Sequence, residues 1–495
     1  RAARARNETV LVHGDYDVDG VCGTALLVRA LRESGIRAEP FVPRRLEDGY
    51  DLGPAGLAAA REIGARCILT CDCGTTAIDA AESAHRAGLD LIVTDHHVVG
   101  ERAPRAVAFV NPLRAEPAPA APLCGTGVAY KLLEAWFEAL GRGRAALYKY
   151  LDLVAIATVA DQVPLVGENR AFVRLGLRLL RETRNPGLRA LLEATGLAGR
   201  PLSARHAAFV FGPRLNAAGR MGLASRAVEL LLTRDDARAQ VLARELDREN
   251  RERQDVDRRT FREAMAMVER ECDPDRDWAL VLASADWHPG VIGIVASRIV
   301  ERVYRPTVLV ALEGERGRGS GRSIPGFHLY DALRACARHL LRFGGHRAAA
   351  GLEVRASDLE GFRAALGAEA RARLCADDLV PVLGVDAELR AREATSAEVW
   401  RFVRHMAPFG LGNPTPLFAV RGALVEGPVE VVATHHLRFG LVLEPGAPPL
   451  PAIAFGAADR ADALRPAARV DVLVRLQERR RGDECQPEAV VVDHR

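Results

Sequence analysis

Lysine is almost missing from this 495-residue chain: among 68 basic residues, only Lys131 and Lys149 are not arginine. With alanine so abundant alongside, this bias makes an arginine count a poor guide to phosphate binding. Only arginines beside other site-like residues carry weight. An excess of one charge sign is missing too. The formal net charge is +3 with 27% charged residues, so bulk electrostatics do not single out nucleic acid. Aromatic residues make up 5% of the chain, which leaves few rings for stacking on bases. The nine cysteines are scattered, and Cys71 and Cys73 form the one close pair. A lone C-x-C lacks the second pair of a structural zinc site. A chain long enough for roughly two to four cored domains needs no disulfide staples. No apolar run approaches the roughly 20 residues of a membrane span; LVAIATVA (153–160) is among the longest. The chain opens on Arg1 without an apolar signal-type stretch. Reduced thiols, a cytoplasmic location, no membrane association and further residues upstream are the expectations.

What is present is order along the chain. Residues 8–165 alternate strand-like runs, TVLVH (9–13), ARCILT (65–70), LDLIVT (89–94) and AVAFV (106–110), with helical patterns at 23–35 and 75–88. Such alternation predicts a parallel sheet covered by helices. Further helices are expected over 125–140 and 148–161, and one long helical stretch over 224–271. Its middle, ELDRENRERQDVDRR, is charged on nearly every face, which suits a solvated helix between two domains. A second α/β unit follows with WALVLA, VIGIVASRIVERV and PTVLVAL. From about residue 385, short apolar runs punctuated by Gly and Pro suggest a small antiparallel barrel. The expected division is 1–223, 224–275, 276–384 and 385–495.

The stretch VHGDYDVDGVCG (12–23) places Asp15, Asp17 and Asp19 at alternate positions behind an apolar run. An EF-hand loop of this opening needs a Glu at position twelve, where this chain has Leu26. Ligands in open parallel sheets bind outside the carboxyl ends of the strands. Just there the chain collects His13, Asp15, Asp17 and Asp19, then Asp72, then Asp95, His96 and His97, while Asp161 ends a helix in VADQVPL. Singly, a buried His97 or a helix-capping Asp161 is more often structural. Four such points in succession are not explained that way. Carboxylates converging in a cleft raise one another's pKa unless cations neutralise them, so a divalent metal, and two by the ligand number, is the implied partner. Oxygen and imidazole ligands without thiolate suit Mn²⁺, with Mg²⁺ or Zn²⁺ less well matched. Two metals about 3.5–4 Å apart can activate a water and clamp a phosphorus centre for in-line attack.

HGDYDVDG, CDCG, TDHH and VADQVPL resemble the four motifs of the DHH phosphoesterase superfamily. GPRLNAAGRMG, WHPGVIGIVASR, GSGRS, FGGH and PFGLGNPTPLF narrow the resemblance to the RecJ family of single-strand-specific exonucleases, in order and over essentially the whole chain. The resemblance implies a DHH domain, a long connecting helix, a DHHA1 domain and a C-terminal OB-fold, an α/β architecture with an added barrel. It implies 5′→3′ degradation of single-stranded DNA to mononucleotides in repair and recombination. The family pattern H-x-x-x-D-x-D matches His13, Asp17 and Asp19. It implies one metal held by His13, Asp17 and Asp72, and another by Asp19, Asp72, His96 and Asp161. Asp95 is expected to orient an imidazole from behind and His97 to face the scissile phosphate. For Asp15, support and direct metal contact both stay open, with support favoured.

Substrate residues follow less directly. Arg45 sits after another strand-like run, near the same mouth, and Arg214, Asn216 and Arg220 offer forks and an amide suited to phosphate oxygens. Any one of these arginines is equally well read as a surface residue, given the composition. The resemblance suggests that Ser320 and Arg322 of GSGRS, with Arg45, grip a 5′-phosphate. In FGGH, Gly345 and His346 either admit a strand backbone or make a tight turn. Trp287 and His288 line the site or belong to the core. In the barrel, Phe418, Phe439 and Phe455 are candidates for base stacking, and two of them equally suit its core. The family also implies a single-strand-binding protein and a RecQ-type helicase as partners, while nothing demands more than a monomer. Two other readings compete: a phosphodiesterase of short oligonucleotides or cyclic dinucleotides, and a non-catalytic replication scaffold. The long helix and barrel favour polymers over the first, and the filled ligand positions disfavour the second.

Overall fold

A computed structural model describes residues 2–45, 47–117, 122–221, 223–273, 275–444, 446–481 and 484–495. In it the first apolar run becomes strand β1 (Thr9–Gly14), buried along almost its whole length. Four more strands join it: β2 (Arg37–Phe41), β3 (Ala65–Cys71), β4 (Asp90–Thr94) and β5 (Ala108–Val110). All pairings are parallel, in the order β2-β1-β3-β4-β5. From β1 the chain crosses to one side and then returns to the other, so the switch in direction lies between β1 and β3. Crevices at such a switch are where α/β sheets bind ligands.

Helix α1 (Val18–Glu33) begins earlier than its apolar periodicity predicts. Asp17 is its N-cap, accepting bonds from the backbone N–H groups of Asp19 at 2.9 Å and Gly20 at 3.1 Å. The acidic motif is therefore a strand end, a cap and a first helical turn. Helices α2 (Gly125–Ala139) and α3 (Leu151–Ala160) pack on α1. A Cβ at Gly125 would lie 2.5 Å from the Cβ of Asp72 and 2.8 Å from its Oδ1. Only glycine lets the start of α2 come this close.

The expected single helix over 224–271 is instead two, α4 (Ser225–Leu232) and α5 (Asp236–Glu271), with Asp235 capping the second. Nor is the charged middle of α5 simply solvated. Asp247, Glu249, Asn250, Arg253 and Asp257 are buried, and arginines from both sides meet them: Arg214 on Asp247, Arg226 on Glu249 and Arg298 on Asp257. Charges on every face here mean ion pairs with both flanking α/β regions, which sequence periodicity cannot distinguish from water.

The second α/β region has a sheet of β6 (Leu280–Ser284), β7 (Thr307–Glu313), β8 (Arg316–Arg322), β9 (Leu340–Gly345) and β10 (Ala349–Arg355), ordered β6-β7-β8-β10-β9. Only β6 and β7 run parallel. Helix α6 (Ile292–Val303) covers it and buries Val295, Ala296 and Ile299. Trp287 belongs to this core, its indole N–H 3.1 Å from Glu263 of α5, and is not site-lining.

These parts form one unit, Arg1–Asp161, Gly176–Leu202 and His206–Val382; the other comprises Gln162–Leu175, Ser203–Arg205 and Leu383–Arg495. The second unit holds a closed barrel of β11 (Phe418–Val432), β12 (His436–Val442), β13 (Leu450–Ala454), β14 (Arg469–Arg481) and β15 (Glu484–His494). Closure comes from β11 pairing with both β12 and β14. Two of the short apolar runs expected there, PLFAVRG and VEVVAT, fall in one strand whose register shifts between Glu426 and Glu430. Within the same unit, the Leu165 N–H donates to Leu411 O at 2.6 Å and Arg170 to Met406 O at 2.7 Å. Phe418 and Phe439 are barrel core, whereas Phe455 is exposed, edge-on to His436 at 5.1 Å. Among the described residues no helix is long and apolar enough to cross a membrane.

Gly125→Ala is expected to force α2 away from Asp72, at a cost of about 1–3 kcal/mol for overpacking. An unchanged thermal unfolding midpoint would show the contact to be looser than the structure has it.

Candidate metal centre

The carboxyl ends of β1, β3 and β4 bring the acidic motifs to one place. Asp72 follows β3 with φ of 63°, a left-handed backbone uncommon outside glycine, which marks a position fixed by its surroundings. Its Oδ1 lies 3.0 Å from His96 Nε2. The same nitrogen is 3.8 Å from Asp19 Oδ2 and 3.7 Å from Asp161 Oδ2. Asp19 is held by the start of α2, accepting from the N–H groups of Gly125 at 2.6 Å and Thr126 at 2.8 Å. Asp161 caps the end of α3.

Three ligand-sized groups emerge, each with its atoms within 4.8 Å of one another: Asp19–His96–Asp161, Asp72–His96–His97 and Asp15–Asp17–Asp72. Asp72 and His96 each belong to two of them. Asp15, expected as support or as a direct ligand, belongs to one of them. His13, expected beside Asp17 and Asp72, is in none of the three; it is fully buried at the end of β1, with Nε2 lacking a partner.

The electrostatics are those of a place built for cations. Burial, then the charge of Asp17, pushes Asp15 well above the carboxylate range. Burial, then Asp19, raises Asp17 and pushes Asp72 well above that range. Burial with Asp19 and Asp17 raises Asp161 to about 9. His13 Nε2, Asp15 Oδ1, Asp72 Oδ1 and His96 Nε2 are all buried without a hydrogen-bond partner. Buried polar atoms are rarely left so, and those of Asp15, Asp72 and His96, which share the three groups, fit a divalent cation's ligand set.

Asp95 behaves differently. Burial works to raise its pKa, but bonds from His97 and the Thr75 backbone hold it down to about 2. It accepts from His97 Nδ1 at 2.8 Å, Thr75 N–H at 2.9 Å and His96 N–H at 2.8 Å. Its bonds tie together the His97 ring, the His96 backbone and the turn after β3. Burial alone would lower the pKa of His97; Asp95 reverses this and raises it.

Sequence reasoning missed Tyr50, whose hydroxyl is 3.2 Å from His97 Nδ1 and 3.4 Å from Asp72 O. It also missed Tyr16, which stands edge-on to Tyr50 at 6.3 Å and under the Arg45 guanidinium at 5.2 Å. Tyr16 lies inside the acidic motif itself; Tyr50 carried no local signal beyond proximity to Arg45. Thr75 and the Gly125–Thr126 pair were missed as well, though a glycine opening a helix after a loop is a recognisable anion-facing pattern.

Arg322 is half-buried, donating to Ser320 Oγ at 3.1 Å and Gly321 O at 2.8 Å. Burial first, then the charge of Arg45, lowers its pKa. Among the described residues neither arginine has a carboxylate within ion-pair reach. A Cβ on Gly293, at the start of α6, would meet Ser320 Oγ at 2.8 Å and Arg322 at 3.1 Å. The helix start and the arginine thus share one small space.

Other expected substrate residues are otherwise engaged. Arg214 spends its fork on Asp247 at 2.9 Å and Val210 O at 2.9 Å. Asn216 accepts from the Val18 N–H at 2.9 Å, bracing the start of α1. These bonds tie the Arg214 guanidinium to α5 and the Asn216 oxygen to α1. The side chain of Arg220 lies outside the described residues. Gly345, with φ of 142°, turns the chain from β9 so that His346 N–H reaches Ala349 O at 2.8 Å; this is a hairpin, and the His346 ring is exposed. His288 Nδ1 accepts from the Gly290 N–H at 3.0 Å, ordering the approach to α6.

Comparison with known proteins adds the family. A DHH family N-terminal domain model matches residues 9–158, a DHHA1 domain model 278–372 and a RecJ OB domain model 385–493. The single-stranded-DNA-specific exonuclease RecJ of Dickeya dadantii (strain 3937) is 40% identical over 477 residues, covering 92% of this chain and 82% of that protein. The chain belongs to the RecJ family. The RecJ of Bacillus subtilis (strain 168) is 34% identical over the full chain, which spans only 62% of that relative's length. Crystal structures of Thermus thermophilus RecJ with Mn²⁺ and with Mg²⁺ superpose with TM-scores of 0.85 and 0.79, at 36% and 35% identity. They cover all of this chain, and it covers 70% and 68% of theirs. Divalent cations therefore accompany this fold in RecJ, and the orphaned ligand atoms here suit the same group.

In the folded, cation-free protein Asp161 keeps its proton up to about 9, against an ordinary 3.8. Between those values the folded state binds a proton that the unfolded state has lost, so its stability falls as pH rises. A cation displaces that proton. Stabilisation by Mn²⁺ is accordingly expected to grow from pH 6 to pH 8, read as the rise in melting temperature. A shift that is flat or shrinks over this interval would contradict the assignment.

Proposed function

We propose that this chain is a divalent-cation-dependent exonuclease that degrades single-stranded DNA from its 5′ end to mononucleotides. The observation that carries the reading is the meeting of Asp19, Asp72, His96 and Asp161, with Arg45 acting electrostatically on both Asp15 and Arg322 and, among the described residues, no carboxylate within ion-pair reach of either arginine. Like charges brought together are stable only where an opposite charge is to come, and here both signs of that argument occur in one cleft.

One cation would be held by Asp17 and Asp72 with His13 and Asp15, the other by Asp19, Asp72, His96 and Asp161. Bound there, the pair supplies a water activated near neutral pH and positive charge for the phosphoryl transition state. The chain's own residues do the rest. Asp95 fixes His97 through Nδ1, and the raised pKa of the ring favours a charged donor for a phosphate oxygen. Tyr50 buttresses that ring. Arg45, Arg322 and Ser320 bind the terminal phosphate, and the fixed clamp sets which phosphodiester meets His97. In the barrel, Phe455 and His436 offer an exposed stacking surface of the kind that tolerates any base. Membership in the family supports a cytoplasmic location, with a single-strand-binding protein and a RecQ-type helicase as partners.

Asp72→Ala is expected to lower cleavage of labelled single strands on the order of a thousandfold or more, since it removes the shared ligand, while DNA binding is largely spared. Full Mn²⁺-dependent activity in that variant would refute the assignment. Arg322→Ala is expected to hurt 5′-phosphorylated substrates most. Equal losses on strands with and without that phosphate would count against the clamp.

A further inference from the structure

His13 ends β1 with its ring buried and tilted against Phe41 at 5.1 Å. Its Nδ1 is 3.5 Å from Cys73 Sγ, and the same sulfur lies 3.6 Å from the His13 carbonyl oxygen. A carbonyl can only accept, so the thiol proton belongs to it. The sulfur is then left as acceptor, and the ring nitrogen facing it must carry the hydrogen. A second hydrogen, on Nε2, would find no acceptor among the described residues. Nε2 is therefore a bare lone pair, and it is the buried atom without a partner. The opposite tautomer would bury an N–H donor with no acceptor, the costlier arrangement.

The sulfur is itself fixed. Thr70 Oγ1 donates to the Cys73 carbonyl at 2.8 Å and accepts from the Thr94 N–H at 3.2 Å, tying the turn after β3 to β4. The geometry points to Cys73 as a positioning residue: its thiol locks His13 in the Nδ1–H tautomer and so leaves Nε2 as the lone pair a cation would take. A carboxylate or carbonyl usually does this behind a metal-binding histidine; here a thiol bridging side chain and backbone takes that place. The inference rests on reading His13 as a cation ligand.

The test uses the full chain with ¹⁵N-labelled histidine, cation-free, with the His13 signals identified by their loss in His13→Gln. Wild type is expected to show a protonated Nδ1 and bare Nε2. Cys73→Ala is expected to shift His13 toward the other tautomer and weaken Mn²⁺ binding by calorimetry about tenfold. Cys73→Ser, which keeps a donor and acceptor, retains the wild-type tautomer, and in a His13→Gln background Cys73→Ala adds no further loss. A protonated Nε2 in wild type, or His13 signals identical in wild type and Cys73→Ala, overturns the proposal. If the tautomer responds as stated but His13→Gln binds Mn²⁺ like wild type, it is the ligand reading of His13 that falls.

Discussion

Mutual repulsion among buried carboxylates is the constraint on which this structure turns. Asp15, Asp17, Asp19, Asp72 and Asp161 come from three segments of the chain, and the fold spends specific features on assembling them. An N-cap holds Asp17, a helix start holds Asp19, and Asp72 sits in a left-handed backbone. A core-seeking sequence would avoid this arrangement, because in the absence of cations burial and like charge keep protons on groups that water would ionise. The protein thus trades stability for a site whose ligands are already in place.

That constraint also explains what was readable in the sequence. β1, β3 and β4 are buried on both faces, so they appear as apolar runs, and the residues after them announce themselves because carboxylates rarely follow such runs without reason. The barrel was readable for a related reason, yet Gly427 and Pro428 looked like punctuation between two strands. In the fold they sit within β11, where the register shifts, and the chain continues as one strand. A break in composition is not a break in pairing when a bulge can absorb it.

Where the sequence failed, it failed on partners. Arg214 and Arg322 each carry the same fork of donors, and local pattern gives no way to tell one from the other. The fold does: Arg214 faces Asp247 across to α5, whereas Arg322 lies in the field of Arg45. The same holds for the charged middle of α5, whose Asp247, Glu249 and Asp257 are met by arginines more than twenty positions away in the chain. Long-range ion pairs leave no periodic trace, so a helix gripped by two domains and a helix bathed in water have the same spelling.

Arg45 joins the two halves of the site. Its charge acts on Asp15, easing the carboxylate's ionisation, and on Arg322, opposing that guanidinium's protonation. It therefore belongs electrostatically to both the acidic centre and the anion-seeking pair, with its guanidinium steadied over the Tyr16 ring inside the acidic motif. A strand end bound by Arg45 and Arg322 would screen their repulsion, while cations at the carboxylates would remove the anion-repelling field next door. Each charge that arrives makes room for the other. In this way an acidic pocket becomes a place where a polyanion can bind.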